Sequence, residues 1–192
     1  MNEDGPSATA APRIISADPE IDGILARRTT DLGPDLDAYR GHVYRVFNYC
    51  AQLAAPQDRP KVAVAAAFHD LGIWTAGTFD YLDPSVALAR AHLEATDRVG
   101  WDAAVAPMIR YHHKLRPYRG RGDDEHTDLV EAFRRADLAD LSWGALAGGW
   151  NATFVKALKR TFPSAGFHAR VCQIGLRWAL RNPLRPLPMM QW

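Results

Sequence analysis

The chain has 192 residues, 47% of them hydrophobic and 23% charged, which is the balance of a globular protein long enough to bury one sizeable core. Lys and Arg number 23 against 22 Asp and Glu, a net charge of +1, so no global attraction draws the chain to a nucleic acid polymer or an anionic membrane. The two cysteines, Cys50 and Cys172, are too far apart for a paired-cysteine metal site and make no disulfide framework, which points to a reducing, cytoplasmic setting. Residues 1–12 are Ala, Pro, Ser, Gly and acid, with little to bury; they read as a disordered lead-in and lack the apolar segment of a signal peptide. Residues 13–192 read as one all-α domain.

The helices follow in chain order. Leu36, Tyr39, Val43, Val46, Cys50, Leu53 and Ala54 keep the three-and-four spacing of one apolar face, and Pro56 ends that helix. Pro60 opens the next, and Val62–Leu71 is apolar almost all round, as a central buried helix would be. Pro84 and Ser85 start a helix that runs to Ala95. Trp101–His113 carries another stripe, with Pro107 inside it as a kink or a short break. Residues 126–141 repeat the pattern, and two more helices are predicted near 148–161 and 167–181. The tail from Asn182 is proline-punctuated, and its closing Leu187-Pro-Met-Met-Gln-Trp192 reads as a docking strap, for its own fold or for a second copy in a homodimer.

Several residues on these apolar faces are costly to bury. His69 and Asp70 are adjacent in the most apolar segment, and a buried ionised carboxylate costs several kcal/mol or more unless it is paired or coordinates a cation. Asp137 lies four residues after Phe133 and seven after Val130, on the apolar stripe of its helix. Asp140 falls on a neighbouring line of that stripe, so periodicity leaves both open. His42, beside Val43, would alone read as a core histidine. Taken together, two imidazoles and carboxylates from three helices form a mixed nitrogen and oxygen set. Such a set suits one divalent ion of Zn, Mn, Fe, Co or Ni, with Mg also admissible.

In this order and helical context the pattern Gly-His42-Val, Phe-His69-Asp70-Leu-Gly and Arg-Ala-Asp137-Leu resembles the HD superfamily of metal-dependent phosphohydrolases, over roughly residues 35–145. Ile109-Arg-Tyr-His112-His113 is similar to a further element that many members carry between the HD pair and the last Asp. The resemblance implies a helical bundle and a metal held by His42, His69, Asp70 and Asp137, with Asp137 preferred to Asp140. It also implies metal-activated hydrolysis of a small anionic substrate, a nucleotide or another phosphorylated metabolite, with His112 and His113 as catalytic residues. Relatives also include cyanamide-hydratase-like proteins and a di-iron oxygenase branch. A metal-stabilised regulatory or binding module is the non-enzymatic alternative.

Members with two metals add histidines after the HD pair. His92 is the candidate second-metal ligand here, but it lies about two and a half turns beyond the expected position at 83–86, on the opposite helix face, so one metal is the expectation. The run Arg110, Lys114, Arg116, Arg119 and Arg121 contains no acid, and Lys114 and Arg116 are the predicted phosphate-binding residues. Trp74, Phe79 and Tyr81 are expected to wall the pocket, with Asp80 and Glu94 as possible general acids.

Overall fold

The computed structural model describes residues 13–120 and 124–190, so the N-terminal lead-in expected at 1–12 lies outside the described residues. Among the described residues ten α-helices follow one another: α1 (Pro19–Ala26), α2 (Thr29–Leu32), α3 (Leu36–Ala51), α4 (Arg59–Phe68), α5 (Gly72–Thr75), α6 (Leu82–Ala95), α7 (Asp102–Tyr111), α8 (Thr127–Leu141), α9 (Ala152–Thr161) and α10 (Phe167–Arg181). No strand occurs among the described residues, and no helix is long and apolar enough to cross a membrane.

Local chemistry explains where the elements depart from the sequence pattern. The apolar spacing does not mark helix α1, although Asp18-Pro19 announces it. The Asp18 carboxylate accepts hydrogen bonds from the Glu20 and Ile21 amides at 3.0 and 3.1 Å, and Pro19 sits in the first turn, where its missing N–H costs nothing. Helix α9 starts at Ala152, four residues after the expected 148. Gly149 has φ +103°, outside helical space, and Asn151 caps the Thr153 and Phe154 amides. Pro107 stays inside α7, which continues unbroken to Tyr111.

Two differences position the functional residues. The spacing in helix α3 predicts one apolar face, yet 13 of its 16 residues are buried. Asn48 there is tolerated because it is bonded: it accepts from the Ile15 amide at 2.8 Å and donates to the Ile15 carbonyl at 2.9 Å. Helix α4 ends at Phe68 and not at Leu71, so His69 and Asp70 lie in the turn that leads into α5. Gly72 makes that turn possible. Its amide donates to Ser85 Oγ at 3.0 Å, and a Cβ there would stand 2.5 Å from the Tyr81 carbonyl oxygen.

Helices α3, α4, α7 and α8 pack in a closed ring, α3 on α4, α4 on α7, α7 on α8 and α8 on α3. Val43, Val46, Val64, Ala65, Val105, Ile109, Val130 and Phe133 fill it, each essentially without solvent exposure. Helix α6 covers α7 and α4, α1 lies on α4, and α9 and α10 close over α3.

Candidate metal centre

Each helix of the ring delivers a polar group to one interior point. His42 comes from the middle of α3, His69 and Asp70 from the end of α4, His112 and His113 from the end of α7, and Asp137 from α8. His42 Nε2 stands 2.8 Å from His69 Nε2, 3.4 Å from Asp70 Oδ2 and 3.7 Å from Asp137 Oδ1. His69 Nε2 is 3.5 and 3.6 Å from the same two oxygens. His42, His69, Asp70 and Asp137, singled out separately in the sequence, thus meet at one place.

The outer nitrogens of the three buried imidazoles are already committed. His42 Nδ1 donates to Asp140 Oδ2 at 2.7 Å, His69 Nδ1 to the Ala66 carbonyl at 2.8 Å, and His112 Nδ1 to the Ile109 carbonyl at 2.6 Å. With one proton on Nδ1, each ring in its neutral form turns its Nε2 lone pair inward, the tautomer a metal ligand needs. Two lone pairs 2.8 Å apart require a cation facing both, either a proton or a metal ion.

The carboxylates make the same demand. Asp70 Oδ1 and both oxygens of Asp137 are buried and accept no hydrogen bond. Orphaned carboxylate oxygens in a dry interior are strongly unfavourable without positive charge nearby, so the donor set fits a divalent ion. Burial would raise both carboxyls, but the imidazoles around them prevail and hold Asp70 and Asp137 below the usual carboxylate range. Burial likewise lowers His42, but hydrogen bonds to Asp140 and Asp70 outweigh it and raise the imidazole to about 9.

Asp70 faces a second set of donors. Its Oδ1 is 3.3 Å from His112 Nε2 and 3.8 Å from His113 Nε2, and His113 Nδ1 is 3.6 Å from Asp137 Oδ2. Two groups therefore offer metal-ligating atoms within reach of one another, His42 with His69 and Asp70, and Asp70 with His112 and His113. The Tyr81 hydroxyl contacts His113 Nε2 and lies 3.5 Å from His112 Nε2. Burial and the neighbouring His112 push His113 down to about 3, so its imidazole is neutral. Its side chain is 15% exposed while those of His42, His69, Asp70, His112 and Asp137 are at most 3% exposed, so solvent meets the cluster at His113.

Periodicity left Asp137 and Asp140 level, and packing separates them. Asp140 turns outward to His42 Nδ1 and takes a two-point contact from Arg45, Nε to Oδ1 at 2.5 Å and Nη2 to Oδ2 at 3.0 Å. Arg45 also donates to the carbonyls of Phe162 and Pro163. Gly41 lets that segment approach, since a Cβ there would stand 2.9 Å from the Pro163 oxygen. Arg45 and Gly41 were missed in the sequence; an arginine three residues beyond His42 on an apolar helix was the available signal.

Other expected site residues lie elsewhere. His92, the candidate second-metal ligand, contacts Glu20 Oε1 at 2.7 Å and Arg98 Nη2 at 3.0 Å, and none of the cluster's ligating atoms is among its partners. Lys114 and Arg116 line a broad cleft of about 930 Å³ with Tyr111, Tyr118, Arg119 and Asp124. The cleft flanks the His112–His113 turn in sequence, but the histidines do not line it. Arg110 forms an ion pair with Asp83 at 2.9 Å, and Arg121 lies outside the described residues. Asp80 and Glu94 are exposed. Of the three aromatic residues, Tyr81 reaches the cluster. Trp74 packs on Tyr39 and Phe167, and Phe79 packs against Gly175.

A family model described as HD domain matches residues 39–141, a span that opens on α3 and closes with α8 and so contains every residue of the cluster. No curated protein and no solved structure matches the chain. The matched span is more than half of the sequence and contains the ring of helices that delivers the histidines and aspartates, and the chain belongs to the HD domain family.

Proposed function

We propose that this chain is a metal-dependent phosphohydrolase acting on a nucleotide or another small phosphorylated metabolite. The observation that carries the reading is the convergence of inward Nε2 lone pairs with the unpartnered oxygens of Asp70 and Asp137, at a point solvent meets through His113. His42, His69, Asp70 and Asp137 would hold the ion, which when bound supplies Lewis acidity and activates water for attack on phosphorus. The protein's own groups do the rest. Asp140 and Arg45 keep His42 in its ligating tautomer. His113, in contact with the Tyr81 hydroxyl, stays neutral at the solvent-facing edge and would orient water or substrate there. Lys114 and Arg116 border a cleft wide enough for a nucleotide and would hold the phosphate oxygens.

The position of Asp70 favours a second reading for nuclearity. Its two oxygens face different donor groups, which supports a pair of ions sharing Asp70, the second held by His112 and His113 and not by His92. Metal analysis of protein purified without added metal, combined with a phosphate-release screen, tests both readings. Two ions per chain that fall to one in His112→Ala would support the shared site, and one ion in both proteins would refute it. Release of phosphate that depends on the bound metal would support the hydrolase. Metal-loaded protein that turns over no phosphorylated compound would favour the hydratase-like or binding alternatives.

A further inference from the structure

The whole-chain charge of +1 conceals a division. After Asp140 the remaining 52 residues contain seven Lys and Arg and no acid, while residues 1–140 hold 16 basic against 22 acidic residues, a net −6. The basic part contains α9, α10 and the tail, all of which lie outside the ring.

Helix α10 presents two adjoining features. On one side Arg170, Arg177 and Arg181 line a cleft of about 150 Å³ with Phe79, Ile174 and Trp178. On the other, Phe79, Val171, Leu176, Ala179, Pro186 and Leu187 line a wholly apolar groove of about 440 Å³. Phe79 belongs to both, held by close packing against Gly175, where a Cβ would stand 3.0 Å from its ring. Leucines continue the apolar side outward: Leu176 is 63% exposed, Leu180 75% and Leu184 95%. Arg170 is engaged with Asp35 and Gln173, and Arg177 and Arg181 are exposed at the rim.

We propose that this face docks on an anionic lipid surface, with Arg177 and Arg181 at headgroup phosphates and Leu176, Leu180 and Leu184 in the adjoining hydrocarbon. A lipid layer places phosphate and hydrocarbon side by side in that sequence without needing a matched shape, and leucines as exposed as Leu180 and Leu184 suit insertion into it. Self-association through the same helix about a two-fold axis sets the arginines of each copy against basic residues, with no acid on α10 or the tail to answer them. Attraction of this kind is local, so it coexists with a near-neutral chain and weakens with salt.

Flotation of the full chain with vesicles of phosphatidylcholine, and with vesicles containing equal phosphatidylcholine and phosphatidylglycerol, tests the proposal. The chain should float with the anionic vesicles alone. Arg177→Gln with Arg181→Gln should weaken partitioning roughly 30-fold. Leu176→Glu with Leu180→Glu should abolish it, with the helical circular dichroism of both variants unchanged. No flotation with anionic vesicles overturns the proposal, as does equal flotation of wild type and both variants. Concentration-dependent self-association that the leucine variant removes, without vesicle binding, would also overturn it and assign the face to a second copy of the chain.

Discussion

His42 and His92 sit in similar company. Each is hydrogen bonded to a carboxylate that an arginine grips with two nitrogens, Arg45 on Asp140 for His42 and Arg98 on Glu20 for His92. At His92 the carboxylate and the arginine both meet Nε2, in a part-buried network of charged partners. At His42 the carboxylate takes Nδ1, and Nε2 points into the ring toward His69, Asp70 and Asp137. What separates a site from a surface network is therefore not residue type but whether satisfied outer atoms leave unsatisfied inner ones converging.

Four substitutions break or sharpen that comparison. Asp70→Ala removes the carboxylate shared by both donor groups, so bound metal should fall below stoichiometry and metal-dependent turnover should disappear. Full metal by elemental analysis in this variant would dissolve the site. Asp140→Asn leaves the inner donors in place but unbalances buried Arg45 and loosens His42. Metal affinity, read by competition with a chelating dye, should drop by about 10- to 100-fold, and urea unfolding should show a loss of about 3–5 kcal/mol. An unchanged affinity would mean that Asp140 stabilises the fold alone.

His92→Gln, by contrast, should leave metal content intact and cost less than about 1 kcal/mol, because its network is partly solvated. Loss of an ion in this variant would erase the distinction between the two histidines. The smallest effect is expected from Glu20→Gln. The Arg98 hydrogen bond outweighs burial and lowers the Glu20 carboxyl, so its contribution is present above the ordinary carboxylate value near 4.3 and is lost as pH falls through the lower folded value. After discounting for exposure, the wild-type advantage should be about 0.5 kcal/mol at neutral pH and vanish in acid, read from thermal unfolding at several pH values.

Much of the site was legible because its residues violate their surroundings. Asp70 and Asp137 interrupt apolar faces, and a carboxylate in such a place announces a cation whatever the fold. The cationic run beginning at Arg110 was less informative. Charges that follow one another in sequence diverge in space, so that Arg110 pairs with Asp83 while Lys114 and Arg116 line a cleft. The basic C-terminal quarter of the chain was present in the sequence as well, but averaging charge over 192 residues cancelled it against the acidic remainder.

By itself the sequence determined the all-helical class, the main helices and the presence of buried ionisable groups that packing alone does not explain. Hydrophobic spacing is a property of one helix and needs no partner to be read. Tertiary structure alone decided which atoms of those groups face inward. Asp137 and Asp140 share one face of α8, three residues apart, and only Arg45 and His42 on α3 make one a hydrogen-bond acceptor for its neighbours and leave the other bare. His92 was withdrawn from the site by Glu20 on α1, which is 72 residues distant in sequence. Hydrogen-bond satisfaction depends on partners from other elements, and that is why no periodicity within a helix could assign it.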